Sequence, residues 1–205
     1  MSENAERAVL AGGCFWIMQQ LLRHCDGVIS TRVGWMGGEN ESPTEKNNVG
    51  HAEAVEVTFD PGRLSYRKLL EYFFMVHRAD LGEDVVETGY RSEIFYAGEE
   101  QRVVAEETIR DVDASGHWPG KVMTRVSKTG RFWEEAPKEQ DYLQRFPVGC
   151  PAPFPRQGKL ARNLISRVLE TRELFDAGGN PVPPPDAAPC LAPAWCSRPR
   201  PGSAR

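Results

Sequence analysis

No stretch of this 205-residue sequence stays apolar over anything near the ~20 positions that a membrane-crossing helix requires, so no such helix is expected. Its first residues, MSENAER, lack the basic start and apolar run of a secretory leader, and a cytoplasmic protein is expected. Charge of one sign is missing as well. The 25 Lys and Arg against 29 Asp and Glu leave a net charge of −4, which gives no footprint for nucleic acid or an anionic membrane. There is no CxxC pair and no Cys/His cluster at zinc spacing, so a structural metal site is not expected. The five cysteines, Cys14, Cys25, Cys150, Cys190 and Cys196, are an odd number in a sequence without a leader, which argues against a disulfide framework. Thiol chemistry at one or a few positions, or inert packing, is what remains for them.

Composition changes near Gly178. Residues 178–205 hold eight of the sixteen prolines and cannot form a packed core, so they read as a Pro-rich flexible tail. Residues 1–6 read as a flexible N-terminus and 7–177 as one ordered domain, with no internal repeat and no second core. Within that domain strand and helix patterns alternate. AVLA at 8–11 is a short buried strand that leads through Gly12 and Gly13 into a helix at 14–25 with Phe15, Met18, Leu22 and Cys25 at helical spacing. Strands follow at 28–35 and 52–59. A helix N-capped by Ser65 carries Leu69, Leu70, Phe73 and Phe74. Then come a strand at 92–97, a helix from Glu99 that stops at Gly116, and a short strand at 122–127. Leu160, Leu164, Val168 and Phe175 mark a last amphipathic helix. Helices between strands with one polar face predict an α+β fold on a mixed, largely antiparallel sheet.

Three short segments carry candidate chemistry. In Gly12-Gly13-Cys14-Phe15-Trp16 the glycines free the backbone before a helix, so Cys14 falls in the first turn. Unpaired N–H groups and the helix dipole stabilise an anion there. A thiol so placed can titrate below its ordinary ~8.5 and supply a thiolate at neutral pH. A small buried cysteine is the plainer alternative. Only one of Phe15 and Trp16 needs to face the core; the other can line a pocket. In His51-Ala52-Glu53, the period-2 pattern puts Glu53 on the face of Val55, Val57 and Phe59. A carboxylate heading an apolar face is costly unless paired, protonated or at a cleft, and so is a candidate proton donor; a solvated strand end is the alternative. Tyr90, before Arg91-Ser92, can point a phenol into the same cleft or simply pack. Asp84 is a loop carboxylate.

The segments GCFW at 13–16, HAE at 51–53 and YRS at 90–92, in this order, resemble the A-type methionine sulfoxide reductases. So do GVISTRVGWMGG at 27–38, VEVTFDP at 55–61, WPGKVMTRVS at 118–127 and FWEEAPKEQDYLQRFP at 132–147, which together extend the resemblance over about residues 7–150. It implies a split βαβ (ferredoxin-like) core and reduction of the S epimer of methionine sulfoxide, free or in proteins. Under it Cys14 is the nucleophile, Phe15 and Trp16 hold the substrate methyl group, and Glu53 and Tyr90 act on the sulfoxide oxygen. His51 and Glu45 stand at the substrate-binding segment. The chemistry needs no metal or organic cofactor. The oxygen passes to Cys14 as a sulfenic acid, a second thiol forms a disulfide, and thioredoxin reduces it. A monomer is expected.

The resemblance is broken at four places. Glu45 stands in Pro43-Thr44-Glu45, where the family carries tyrosine, so an oxygen donor is replaced by a carboxylate that would repel Glu53. The loop that opens at His77 is short and reads His-Arg-Ala-Asp. Asp84, the match for the family's loop aspartate, lies one residue too far from Tyr90. The resolving thiol is open between Cys150, Cys190 and Cys196, whereas Cys25, on the core face of the first helix, reads as inert. An altered member that binds methionine sulfoxide or senses oxidants through Cys14 is therefore the alternative to an active reductase. A cysteine hydrolase pairing Cys14 with His51 lacks a third orienting group.

Overall fold

The computed structural model describes residues 4–80 and 89–146. Ten elements occupy them: β1 (Glu6–Gly12), α1 (Phe15–Leu22), β2 (Val28–Met36), β3 (Ala52–Phe59), α2 (Tyr66–Val76), β4 (Ser92–Tyr96), α3 (Glu99–Ser115), β5 (Arg125–Lys128), β6 (Trp133–Glu134) and α4 (Tyr142–Arg145). The six strands form one sheet in the order β5-β4-β1-β3-β2-β6. Every pairing is antiparallel except β4 with β5, which is parallel, so the sheet is mixed and the architecture α+β. Among the described residues no helix is long and apolar enough to cross a membrane.

Alternation along β3 decides what lies on each face. Val55, Val57 and Phe59 point into the main core, where Leu10 from β1, Val33 and Trp35 from β2, and Leu69, Leu70, Phe73 and Phe74 from α2 meet them. Ala52 and Ala54 point the other way, into a smaller cluster with Val9, Met36 and Phe95. Glu56, also on that second face, is buried but paired with Arg32 at 2.7 Å. α2 starts as expected, Ser65 accepting from the N–H of Lys68. α3 ends at Gly116 with φ +65, a left-handed cap that favours glycine.

Three boundaries depart from the pattern. α1 stops at Leu22 rather than at position 25. The apolar spacing persists because Cys25 is buried from a tight turn, its N–H donating to Leu22. Cys14 is the N-cap and not a first-turn residue. The strand expected at 122–127 begins only at Arg125, since the N–H of Met123 is taken by the carbonyl of Ala79. β6 and α4 were not foreseen. The helix expected over Leu160–Phe175, the proposed tail at 178–205, Asp84 and the cysteines Cys150, Cys190 and Cys196 lie outside the described residues.

Candidate active site

Gly12 and Gly13 each have a separate physical task at the end of β1. The Phe73 and His77 rings press so closely on Gly12 that a Cβ there would lie 2.8 and 3.0 Å from them. Gly13 has φ +105, a left-handed backbone that turns the chain from the sheet into α1. Cys14 follows with φ −56 and ψ 120, and its carbonyl accepts from the N–H groups of Ile17 and Met18. The thiol is buried with Ile17, Leu21 and Leu143, and Trp16, Val76, Tyr90 and Tyr142 pack against that cluster.

The next N–H of the helix, that of Phe15, donates to Glu53 Oε2 at 2.9 Å. A helix N-terminus favours a negatively charged group, and here it is the Glu53 carboxyl group that occupies it. Glu53 is thereby tied to the residue that follows Cys14. Glu53 is itself buried, at the head of β3 opposite Trp35 of β2. Its own N–H donates to the carbonyl of Gly89 at 2.7 Å, which brings the residue before Tyr90 to the same corner. Of the residues singled out in the sequence, then, Cys14, Phe15, Trp16, Glu53 and Tyr90 converge. Phe15 faces the main core, edge-on to Trp35, while Trp16 is only partly buried and lies on the thiol side.

His51 is buried and serves the loop between β2 and β3. Its Nε2 lies 3.0 Å from the carbonyl of Asn40, and its ring lies against Gly38. That contact leaves no room for a methyl group, since a Cβ on Gly38 would lie 2.2 Å from the ring and 2.6 Å from the backbone nitrogen of His51. Gly38→Ala is expected to cost roughly 1–3 kcal/mol of stability, read as a lowered midpoint in urea, because backbone must shift. Glu45 is exposed in the turn closed by the Thr44–Asn47 bridge, and its carbonyl accepts from Asn48.

Two supporting groups escaped the sequence reading. Arg91 and Glu93 form a buried ion pair at 2.6 Å. Ser127 donates to the second carboxylate oxygen, and Arg91 also donates to the carbonyl of Gly50, one residue before His51. A buried pair with its oxygens satisfied makes a fixed anchor for that loop. His77 lies beneath Gly12, stacked on Phe73 at 3.9 Å. Its Nδ1–H donates to the carbonyl of Phe73 at 2.6 Å, which leaves Nε2 to accept from Ser92 Oγ at 2.8 Å. Burial holds its pKa down at about 4, against smaller opposing effects of the Phe73 carbonyl and the Asp80 charge, so the ring is neutral at ordinary pH.

Fold and site together put a buried cysteine and a carboxyl group at the N-terminus of one helix, with Trp16, Tyr90 and Tyr142 packed on the thiol side. Residues 6–161 match the family model described as peptide methionine sulfoxide reductase. The peptide methionine sulfoxide reductase MsrA of Mycolicibacterium gilvum is 57% identical over 162 residues, covering 77% of this chain and 95% of that protein. That of Streptomyces coelicolor is 51% identical over 162 residues, covering 77% of this chain and 94% of the other. Among solved structures, methionine sulfoxide reductase A of Corynebacterium diphtheriae matches with a TM-score of 0.56 at 26% identity, over 73% of this chain and 79% of that one. Reduced Mxr1 from Saccharomyces cerevisiae matches with a TM-score of 0.64 at 23% identity, over 77% and 95%, a likeness of fold. The chain belongs to the peptide methionine sulfoxide reductase family.

Proposed function

We propose that this protein reduces the S epimer of methionine sulfoxide, with Cys14 as nucleophile and Glu53 as the acid. The observation that carries the reading is the Phe15 N–H to Glu53 bond, which sets a carboxyl group beside the thiol on one helix end. A sulfoxide sulfur is electrophilic only when its oxygen is protonated or strongly hydrogen-bonded, so thiolate and acid must face one substrate. Cys14 attacks that sulfur as Glu53 delivers a proton to the oxygen, with Tyr90 as a second donor. The S–O bond breaks as the hydroxyl passes to the Cys14 sulfur, the transient bond between that sulfur and the substrate sulfur breaks, and methionine leaves a sulfenic acid behind; the substrate sulfur gains the two electrons that Cys14 loses. A second thiol of the chain displaces water from the sulfenic acid to form a disulfide, and an external dithiol reduces it. Cys150, Cys190 and Cys196 are the candidates; Asp84 is proposed as a further carboxyl group of the site, and Glu45 as the acidic replacement of a donor at the substrate-binding segment.

Thioredoxin is the proposed reductant; a protein of similar fold, Mxr1 from Saccharomyces cerevisiae, has been crystallised in complex with Trx2, which supports that choice. The strand order β4-β1-β3-β2, with α1 and α2 as crossovers, supports reading the core as a split βαβ unit. A monomer in the cytoplasm is proposed on the sequence alone. The test is turnover of the separated S and R epimers of dabsylated methionine sulfoxide with dithiothreitol, Cys14→Ser serving as the blank. Consumption of the S epimer alone is expected. A folded protein that turns over neither epimer would end the reading and leave a binding or sensing role.

A further inference from the structure

Trp16 borders the thiol cluster, yet its indole Nε1 is buried and has no hydrogen-bond partner among the described residues. No polar partner among the described residues fixes the angle of that ring, which leaves the neighbouring rings to do it. Phe15 meets it obliquely, with centroids 5.7 Å apart and planes at 51°. Tyr142 lies flat on it, with centroids 4.3 Å apart and planes at 16°. The tyrosine is the first residue of a one-turn helix that could not hold its place alone. Its position comes from the residue before it. Asp141 adopts φ +55, donates its N–H to Gln19 Oε1 at 2.9 Å, and pairs through its carboxylate with Arg23. Gln19 belongs to α1 and Arg23 caps its C-terminus, so the helix that presents Cys14 also dictates where Tyr142 sits. Gln140 adds a second grip: its side-chain amide accepts from the N–H of Val33 at 2.8 Å and donates to the carbonyl of the same residue at 2.9 Å, as a paired strand would.

We propose that Tyr142 is a positioning residue for substrate binding: stacked on Trp16, it sets the indole wall against which the methyl group of the sulfoxide packs, and Asp141 sets Tyr142 by gripping α1. The inference rests on the reading of Trp16 as part of the substrate pocket. It assigns a role to the aromatic ring of Tyr142 and none to its hydroxyl, and it predicts an effect on binding more than on the chemical step.

The experiment is steady-state kinetics with the S epimer and dithiothreitol, beside the pH midpoint for alkylation of Cys14 followed on its peptide by mass spectrometry. Tyr142→Ala is expected to raise KM about tenfold, the scale of a lost aromatic pair, with a smaller change in kcat. The alkylation midpoint should stay at the wild-type value, because the helix end around the thiol is unchanged. Tyr142→Phe keeps the stack and should restore the wild-type KM. Asp141→Gly, which retains the left-handed backbone without the carboxylate, should move KM in the same direction by less, and it carries the test if Tyr142→Ala does not fold. An unmoved KM in the alanine variant, a phenylalanine variant as impaired as alanine, or a shifted alkylation midpoint would each overturn the assignment. Wild-type protein without turnover would end the reductase reading and this one with it, whereas wild-type turnover with an unmoved KM ends this one alone.

Discussion

Glu53→Gln is expected to lower kcat for the S epimer by a factor of about 10² to 10⁴, the usual contribution of a positioned general acid. The substitution isolates one property. The glutamine carbonyl can still accept the Phe15 N–H that now ends on Oε2, and its amide can still donate a hydrogen bond towards the substrate oxygen. What it cannot do is give up a proton as the S–O bond breaks. Glu53→Ala should do worse, since it also leaves the Phe15 N–H without its present acceptor at a buried site. Binding of the sulfoxide should change much less than turnover in the glutamine variant. The check is rapid-quench measurement of methionine released in a single turnover. A glutamine variant that releases methionine at the wild-type rate would remove Glu53 from the chemistry and leave it as a cap for α1.

Acid should destabilise this protein through His77 before its carboxylates are protonated. The folded ring titrates near 4 because it is buried, whereas an unfolded histidine titrates near 6.5. Between those values the unfolded chain carries a proton that the folded one refuses, so stability falls as pH drops through the window and levels off below about 4. The linkage integrates to about 3 kcal/mol in all, most of it lost between pH 7 and pH 4.5. Urea midpoints for wild type and His77→Gln, taken at both pH values, separate this effect from any other group. The variant starts less stable at pH 7, because Ser92 and the carbonyl of Phe73 lose their partner, but it should lose much less on acidification. Equal losses in the two proteins would show that the acid sensitivity lies elsewhere. Since the ring presses on Gly12, two residues before Cys14, activity should fall along the same curve.

The parts of the site legible in the sequence are those whose signal is local. A glycine pair before a cysteine, a glutamate at the head of an alternating strand and a tyrosine before the next strand each announce themselves within a few residues. The structure brings all three to one corner. The mixed α+β sheet was legible for the same reason, from the periods of β1, β3, α2 and α3. The unseen parts act over distance. Gln140 behaves as a strand although it is a single side chain, 107 residues from the Val33 groups it pairs with. Asp141 turns the chain in a left-handed conformation that glycine or asparagine would more readily have signalled. His77, Arg91 and Glu93 look in sequence like any polar residues near element ends. Only packing shows that all three are buried with every charge or ring nitrogen given a partner. α4 is too short for a periodic pattern to reveal it.

The grip of Asp141 and Gln140 on α1 and β2 also orders events in time. These contacts join residues more than a hundred positions apart, so they close some of the longest loops among the described residues, at a correspondingly high entropic penalty. Synthesis delivers Cys14 early and Leu143, which completes its apolar surroundings, only after most of the domain has been made. A nascent chain therefore carries the β1 and α1 segments before the residue that covers their thiol has been made. The thiol proposed as the nucleophile thus lacks, until residue 143 docks, the apolar cover that buries it in the finished fold.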